Sequence, residues 1–493
     1  MLKTPPLKSL ESLTFNNTFA QLPADFYSRV KPKPFNTLPY LVSFNDEVAK
    51  LIGLDPSEAQ REDLLHYISG AKAWPGSQPL AMLYAGHQFG HYVPQLGDGR
   101  AVLLGEVRHQ DQNWDVQVKG SGLTPYSRQG DGRAVLRSSI REYLCSEAMH
   151  GLGIPTTRAL CMIGSHEEVY RENIETGAML VRVAQSHVRF GSFEVFFYRE
   201  QHAQIKTLAD YVIEHHYPHL AEEKDKYVLW LQEIVKRTAH LMAQWQAVGF
   251  SHGVMNTDNM SILGLTLDYG PFGFMDAFNP GYICNHSDHS GRYAFDQQPG
   301  IGLWNLTCLA QALTPLISVD AAKQALEEYE TEFIHHYYDL MRAKLGLKET
   351  NEQSVEIINN LLALLTEDAR DYTNTLRALS DFKLADDNSS LRDRFISRLA
   401  FDKWAEQYQA QLQQEGSDDT QRKIDMDQRN PKYILRNYLA QVAIEKAERD
   451  KDFSEIDRLL DLVRDPFNER PEFEDYADEP PDWAKHIEVS CSS

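Results

Sequence analysis

The sequence lacks any run of about 18 consecutive apolar residues, whereas a helix needs about 20 of them to cross a bilayer. Residues 1–8 also lack the apolar stretch of a signal peptide. The five cysteines form no Cys-x-x-Cys pair and no zinc-ligand spacing. We therefore expect a cytoplasmic protein with no membrane partner and with thiols that are reduced by default.

Positive charge is also scarce in this chain. It contains 49 Lys and Arg residues against 71 Asp and Glu residues, which gives a net charge of −22. Proteins that bind nucleic acid without regard to sequence need a basic surface to contact the phosphates. The charge therefore argues against a nucleic-acid partner, although a local basic pocket for a nucleotide can exist in an acidic protein.

A chain of 493 residues is too long for one ordinary hydrophobic core. Alternating apolar residues predict strands, and apolar residues spaced by three or four predict helices. The predicted strands cover 101–107, 114–119, 158–163 and 179–183, and the predicted helices cover 47–52, 136–151, 226–246, 320–345, 354–366 and 391–414. From about residue 465 an acidic tail is expected to run extended along the surface.

These patterns predict an α+β protein made of four segments. They are an N-terminal extension (1–78), a β-rich lobe (79–190), a helical lobe (191–345) and a helical C-terminal extension (346–493). A β-rich lobe followed by a helical lobe, with nucleotide chemistry at their junction, is typical of a bilobal, protein-kinase-like fold.

The most informative segment begins at His252-Gly253 and ends at Asn259. A short apolar stretch over 261–267, predicted as a strand, leads from there to Asp268-Tyr269-Gly270. In protein kinases a loop Asn and the Asp of an Asp-Phe-Gly turn hold two Mg²⁺ ions against the phosphates. Asn259 and Asp268 have the residue types and the order of such ligands. The kinase base would stand two residues after the histidine, where this chain has Val254, so proton transfer must be arranged differently.

A heptapeptide, Gly-Asp-Gly-Arg-Ala-Val-Leu, occurs twice, over 97–103 and over 130–136. Glycines at turns let the backbone approach phosphates, and an arginine adds a bidentate contact. A single Gly-x-Gly usually marks an ordinary turn. Two identical copies on either side of Lys119 favour a phosphate-binding role, with a coincidence of turn chemistry as the alternative.

Lys119 ends a predicted strand, and the helix that follows carries Glu142. This order matches the ion pair between a strand lysine and a helix glutamate in kinases. An isolated pair of this kind would be better interpreted as two surface residues, so the prediction depends on the complete order of glycine turn, Lys, Glu, Asn and Asp. For Arg182 and Arg189, the sequence by itself favours ordinary surface positions.

At these residues the chain resembles the selenoprotein O family of pseudokinase-fold protein adenylyltransferases, in a form with cysteine in place of selenocysteine. The similarity covers nearly the full length. It is carried by Tyr-Ala-Gly-His-Gln-Phe-Gly-His at 84–91, both Gly-Asp-Gly-Arg copies, 252–259, 268–278 and the terminal Cys491-Ser492-Ser493. These motifs are long and unusual, so the resemblance is specific.

The resemblance implies the ligands and the role of individual residues. ATP would be surrounded by Gly97, Gly99, Arg100, Lys119, Asp131, Gly132, Arg182, Arg189 and Asp268. Asn259 and Asp268 would bind Mg²⁺, with Mn²⁺ left open, and Asp258 would accept a proton, with Lys119 and Glu142 completing the catalytic set. ATP would lie flipped relative to kinases, so that AMP passes to Ser, Thr or Tyr hydroxyls of proteins, redox-homeostasis proteins among them.

Asp258 has a second interpretation. Neighbouring side chains on an extended loop point apart, so Asp258 and Asn259 would not both face the metal. In that case Asp258 would anchor the loop without touching the substrate.

The resemblance further implies a disulfide between Cys284 and Cys491, which would tether the tail to the segment after Asp268 and make the activity redox-regulated. The alternative is a pair of free thiols in a reducing compartment.

Two other functions stay open at this point. One is a phosphotransferase of orthodox kinase polarity, and the other is a catalytically inactive nucleotide-binding scaffold, which Val254 suggests. The complete set of Lys119, Glu142, Asn259 and Asp268 argues against the scaffold, because an inactive protein does not need all metal and phosphate ligands.

Overall fold

The computed structural model describes residues 6–489. The strands are β1 (Tyr27–Arg29), β2 (Tyr40–Phe44), β3 (Leu80–Met82), β4 (Gly86–Gln88), β5 (His91–Val93), β6 (Ala101–His109), β7 (Gln112–Lys119), β8 (Ala134–Val135), β9 (Arg158–Tyr170), β10 (Ile174–Ala184), β11 (Phe250–Ser251) and β12 (Gly273–Phe274). The first helices are α1 (Asp46–Leu51), α2 (Glu62–Ser69), α3 (Leu136–Gly151), α4 (Gly191–Tyr198), α5 (His202–His216), α6 (Lys226–Ala247) and α7 (Gln298–Ala312). They are followed by α8 (Val319–Lys344), α9 (Glu352–Glu367), α10 (Tyr372–Ala378), α11 (Ser389–Arg392), α12 (Arg398–Gln414), α13 (Asp419–Asp427), α14 (Asn437–Arg449) and α15 (Ser454–Arg464).

The main sheet is antiparallel, with the strand order β1-β3-β6-β7-β10-β9-β2, and β8 pairs with β10. Strands β1 and β2 both come from residues 1–78, so the N-terminal extension supplies the two edges of the sheet. In the centre of the sheet, Lys119 at the end of β7 lies opposite Ala101 of β6 and Leu180 of β10. This register brings the end of the first Gly-Asp-Gly-Arg copy next to Lys119.

The two faces of the sheet are covered by different parts of the chain. Alternate residues of a strand point to opposite faces, so Val102 and Val181 pack in one core with α1 and α2. Leu103 and Leu180 point the other way and join a larger core that includes α3, α6 and α14. A further core joins helices α8 to α13 to earlier parts of the chain, among them Ala247, Met275 and Phe278.

Most predicted elements are confirmed, and the protein combines helices with an antiparallel sheet as expected. Helix α3 covers the predicted residues, while β9 and β10 extend beyond the predicted strands. Two predictions are wrong. The tail from about residue 465 differs in part from the expected extended chain, because it contains short 3-10 helices at Pro471–Tyr476 and Asp482–His486.

The first wrong prediction is the strand over 261–267, which contains only isolated bridges. Gly264 has a φ of +71° and donates its N–H to the Ser261 carbonyl (3.2 Å), so the chain turns there. The second is the continuous helix over 391–414, which is interrupted between α11 and α12. One oxygen of Asp368 accepts the N–H groups of Ile396 (2.7 Å) and Ser397 (2.9 Å), and this contact fixes a new helix start.

Across residues 6–489, no helix combines the length and the apolar character that a membrane span requires.

Candidate functional site

A cavity of about 650 Å³ lies where the glycine-rich turns of the sheet meet the loop that begins at His252. Most of the predicted site residues line it: Gly97, Gly99, Arg100, Lys119, Asp131, Gly132, Arg182, Asp258, Asn259 and Asp268. Glu142 and Arg189 lie directly behind this wall, where they contact Lys119 and Asp268. The structure therefore brings together twelve residues that are spread over more than 170 positions of the sequence.

Asp268 is held by two arginines at the back of the cavity. Its Oδ1 accepts a hydrogen bond from Arg182, and its Oδ2 lies 2.7 Å from Nη1 of Arg189. Burial by itself would raise the pKa of Asp268, but Arg182, Arg189 and Lys119 lower it well below its usual value. The Asp268 side chain is still 22% exposed. It is therefore a permanent carboxylate that faces both the arginines and the cavity.

Arg182 and Arg189 are not surface residues, which corrects the expectation from the sequence. They are only 4% and 1% exposed. Arg182 follows Val181 near the end of β10, and its Nε donates to Oε1 of Gln117 (3.0 Å). Buried guanidinium groups need carboxylate partners, and Asp268 serves both of them.

Lys119 and Glu142 form the predicted ion pair between β7 and α3. The second oxygen of Glu142 lies 3.2 Å from Nη1 of Arg182. Burial lowers the pKa of Lys119, and the Glu142 carboxylate counteracts this effect. Glu142 thus connects two cationic side chains that both line the cavity.

His252 connects the loop to the turn at Asp268. Its Nε2 donates to the Leu267 carbonyl (2.8 Å), and its Nδ1 accepts the N–H of Val254 (3.3 Å). Burial lowers the pKa of His252, which favours the neutral ring that this pair of bonds requires. The histidine that opens the motif therefore fixes the distance between the loop and the Asp268 turn.

Asp258 and Asn259 both line the cavity, although they are neighbours in sequence. The loop forms a 3-10 turn at Thr257–Asn259, so these side chains do not alternate as they would on an extended loop. The Asn259 Nδ2 donates to the Val254 carbonyl (3.0 Å), which holds the amide in place. This turn removes the geometric objection to a shared role for Asp258 and Asn259.

Asp258 is an unusual carboxyl group, because it is 7% exposed and has no ion pair among residues 6–489. Burial raises its pKa to about 7, although Gln88 and Arg189 act in the opposite direction. Its Oδ2 accepts a hydrogen bond from Nε2 of Gln88 (3.2 Å), whereas Oδ1 has no hydrogen-bond partner in the described part of the chain. A carboxyl group with this pKa can accept a proton near neutral pH.

The two copies of the heptapeptide have different roles. In the first copy Arg100 is exposed at the cavity. In the second, Arg133 is buried, with its Nε 2.8 Å from Oε1 of Glu167 and Nη1 2.8 Å from the Lys33 carbonyl. Asp131 of the second copy lies 2.7 Å from Nη1 of Arg171. Arg133 also borders the cavity, but Glu167 and the Lys33 carbonyl occupy its guanidinium. Identical sequences thus give one arginine that is available to a ligand and one that holds the N-terminal extension.

Several lining residues were missed in the sequence analysis, among them Gln88, Asn256, Arg128 and Arg171. Arg171 lies in the turn between β9 and β10 and reaches Asp131 only because this long hairpin folds over the second glycine turn. No local pattern indicates that contact. Gln88 belongs to the 84–91 motif, which was used only to recognise the resemblance.

Cys284 is buried outside the cavity, and Cys491 lies outside the described residues. The Cys284 thiol donates to the Pro271 carbonyl (2.8 Å), and Pro271 lines the cavity. Burial raises the pKa of Cys284 to about 12. The N–H of His286 donates to the carbonyl of Val489 (2.8 Å), so the last described residue of the tail contacts the segment that carries Cys284.

Comparisons with known proteins show the family of the chain. The chain matches the family model described as "Protein adenylyltransferase SelO" over residues 9–464. It is 58% identical over 490 residues to a "Protein nucleotidyltransferase YdiU" of Myxococcus xanthus, with 99% of this chain and 100% of the relative covered. The proteins of the same name from Thiobacillus denitrificans (58% over 490 residues; 99% and 100% covered) and Yersinia pseudotuberculosis (53% over 480 residues; 97% and 99% covered) are also similar. The chain belongs to the SelO family of protein adenylyltransferases.

Proposed function

We propose that the chain transfers AMP from ATP to Ser, Thr or Tyr hydroxyls of proteins and releases pyrophosphate. In this step the acceptor oxygen bonds to the α-phosphorus, the bond from that phosphorus to the pyrophosphate oxygen breaks, and the hydroxyl proton passes to Asp258. The observation that carries the proposal is Asp258 itself, a buried carboxyl with a pKa of about 7 in the same cavity as Asn259 and Asp268.

The cationic side chains of the cavity suit a triphosphate. Arg100, Arg128, Lys119, Arg171 and Arg182 line it, in a protein whose net charge is −22. Pyrophosphate leaves with more charge than a single phosphate, so several guanidinium groups are needed to stabilise it. We propose that Arg100, Lys119 and Arg182 bind the phosphates, while Gly97, Gly99, Asp131 and Gly132 form the remaining wall of the nucleotide site. Arg189 lies behind this wall on Asp268, and we propose that its positive charge contributes to the phosphate site from there.

The donor set at Asn259 and Asp268 fits a hard divalent cation. Both side chains offer oxygen ligands, and Asp268 is ionised at any ordinary pH. When bound, Mg²⁺ or Mn²⁺ would neutralise charge that develops on the phosphates. The arginines at Asp268 orient this carboxylate, and the Val254 carbonyl orients the Asn259 amide.

The finer fold assignment is also our proposal. A strand lysine paired with a helix glutamate, followed by Asn259 and Asp268, supports a bilobal pseudokinase fold. We keep the division into an N-terminal extension (1–78), a β-rich lobe (79–190), a helical lobe (191–345) and a C-terminal extension (346–493).

The proposed reaction is tested with ATP labelled at either the α or the γ phosphate. The protein is incubated with Mg²⁺ and a protein acceptor, and label on protein is measured. Transfer of α label alone is expected. Transfer of γ label would show a phosphotransferase of kinase polarity, and transfer of neither label, with ATP bound, would show an inactive scaffold.

The two heptapeptide arginines provide a matched pair of variants. We expect Arg100→Gln to weaken ATP binding about tenfold or more without changing the melting temperature, because Arg100 is exposed and its charge-assisted contacts form only with ligand. We expect Arg133→Gln to lower the free energy of unfolding by about 3–5 kcal/mol, because it leaves Glu167 without its buried partner. Calorimetry with ATP measures the change in affinity, and thermal unfolding measures the change in stability. If the two variants lose affinity and stability to the same extent, the different roles assigned to Arg100 and Arg133 are wrong.

We also propose that Cys284 and Cys491 form a reversible disulfide, with both thiols giving up their protons and two electrons to an oxidant such as hydrogen peroxide. His286 is two residues after Cys284 and Val489 is two residues before Cys491, so the hydrogen bond between them keeps the two segments within reach. Because burial suppresses the Cys284 thiolate, we expect the reaction to be slow.

Peptide mapping without reductant tests this disulfide. Peroxide-treated protein should yield a linked Cys284–Cys491 peptide, and AMP transfer should change when reductant is added. Cys491→Ser is the matched control and should yield no such peptide and show no response to reductant. If the linked peptide never forms in the wild-type protein, the tether does not exist.

A further inference from the structure

The hairpin formed by β4 and β5 lies outside the main sheet and packs on the loop that carries Asp258. The N–H of His87 donates to Oγ1 of Thr257 (2.7 Å), and Nε2 of Gln88 donates to Oδ2 of Asp258 (3.2 Å). The N–H of Phe89 reaches Oδ1 of Asn256 (3.3 Å). Three consecutive residues of the hairpin thus contact three consecutive residues of the loop.

From these contacts we infer that Gln88 is a positioning residue, which orients the Asp258 carboxylate for proton transfer. The inference rests on the proposed role of Asp258 as the proton acceptor. Gln88 occupies only Oδ2, and Oδ1 has no partner within residues 6–489. Oδ1 is itself fully buried, so the hydrogen bond from Gln88 and the packing around Oδ1 together fix the plane of the carboxylate.

The backbone of the hairpin leaves Asp258 little room to rotate. A Cβ atom at Gly86 would lie 2.5 Å from Oδ1 of Asp258. On the other side, a Cβ atom at Gly191 would lie 2.0 Å from the Ala85 carbonyl, and the N–H of Ala85 donates to the Gly191 carbonyl (3.0 Å). Glycine at both positions allows the hairpin, helix α4 and the loop to approach this closely.

Glu194 fixes the hairpin and the loop relative to each other. It is completely buried on α4, its Oε1 lies 2.5 Å from Nδ1 of His87, and its Oε2 accepts the hydroxyl of Thr257. Thr257 in turn accepts the N–H of His87, which closes a ring of hydrogen bonds. Gln88 directly follows His87, and Asp258 directly follows Thr257. The ring of hydrogen bonds therefore holds Gln88 and Asp258 at a constant separation.

Cys308 lies close to the same group, and its sulfur, an oxygen of Glu194 and a nitrogen of His87 are within 4.8 Å of one another. The 2.5 Å contact between His87 and Glu194 is a hydrogen bond. Two ligands of one tetrahedral zinc ion would lie about 3.3 Å apart, given bond lengths of about 2.0–2.1 Å. The short contact therefore indicates a hydrogen-bonded network that positions these residues rather than a metal site.

The inference predicts a loss of turnover without a loss of ATP binding. Gln88→Leu removes the amide that holds Oδ2 of Asp258, and we expect kcat of AMP transfer to fall about tenfold. The KM for ATP and the melting temperature should be unchanged, because Gln88 is expected to act only through Asp258. A purely structural defect would lower the melting temperature and raise the KM for ATP as well.

Gln95→Leu is the matched control, because Gln95 is an exposed glutamine shortly after the hairpin, and its side chain hydrogen-bonds to Arg199, away from Asp258. Its kcat should equal that of the wild type. If the wild type transfers α label and Gln88→Leu keeps the wild-type kcat, the role of Gln88 is refuted while the proposed function stands. If the wild type transfers no α label, both fail.

A second pair of variants tests the network that carries Gln88. Thr257→Val removes the hydroxyl that joins His87 to Glu194, and we expect kcat to fall at least tenfold with the KM for ATP unchanged. Thr257→Ser retains the hydroxyl and should recover most of the rate. Equal rates for the valine and serine variants would contradict the network.

Discussion

Asp258→Asn should lower the turnover of AMP transfer by about 10²–10⁴-fold, the range that general-base catalysis contributes. The amide has nearly the same shape but cannot accept the proton of the acceptor hydroxyl. ATP binding should be unchanged, because Asp258 is expected to contact the acceptor rather than the phosphates. Transfer of α label is measured at saturating ATP and metal, and calorimetry measures ATP binding. If the variant retains near wild-type turnover with ATP bound normally, Asp258 is not the base.

The pH dependence of the wild type provides a second test of Asp258. Burial raises the pKa of this carboxyl to about 7, so its ionised fraction increases as the pH rises through that value. We therefore expect kcat/KM to rise with pH over the same range and to level off above it. In Asp258→Asn this limb should be absent. An unchanged limb in the variant would assign it to another group.

Asp268→Asn should lower AMP transfer by at least about 10²-fold, as expected for the loss of one strong electrostatic stabiliser. The substitution removes the charged oxygen offered to the metal, and it also removes the carboxylate that Arg182 and Arg189 share. Unlike Asp258→Asn, it should weaken ATP binding in the presence of Mg²⁺. Calorimetry with and without metal, together with transfer of α label, measures both effects.

Asp268→Asn also leaves the buried Arg189 without a carboxylate and Arg182 with Glu142 alone, which is expected to cost about 3–5 kcal/mol of stability. Glu147→Gln is a matched control for that loss. Glu147 is buried on α3 and forms an ion pair with Arg158 (2.8 Å) away from the cavity. The Glu147→Gln variant should unfold at a lower temperature than the wild type and yet keep its activity per folded molecule. If Asp268→Asn keeps its activity as well, the assignment of Asp268 as a metal ligand is wrong.

The order of residues along the chain was sufficient to predict side-chain contacts between residues on regular strands and helices. Lys119 could be placed at the end of a strand and Glu142 on the next helix, because each lies in a clear apolar pattern. Asn259 and Asp268 could be proposed as partners because a kinase-like site requires both in that order. In these cases local structure and sequence separation determine which side chains meet.

The remaining site residues depend on tertiary packing, which no local pattern shows. Arg182 and Arg189 look like surface residues until the sheet and the loop enclose Asp268 between them. The 3-10 turn at Thr257–Asn259 replaces an extended loop and thereby changes which way Asp258 faces. Gln88 reaches Asp258 across 170 residues of sequence.

The sheet topology has a consequence for shortened forms of this protein. A chain that starts at residue 79 would retain the cavity residues but lose β1 and β2, which cover β3 and β9. The part of β9 that pairs with β2, residues 161–164, would then have an edge that is free to pair with other molecules. Aggregation would follow from that lost protection, even though no catalytic group had been removed.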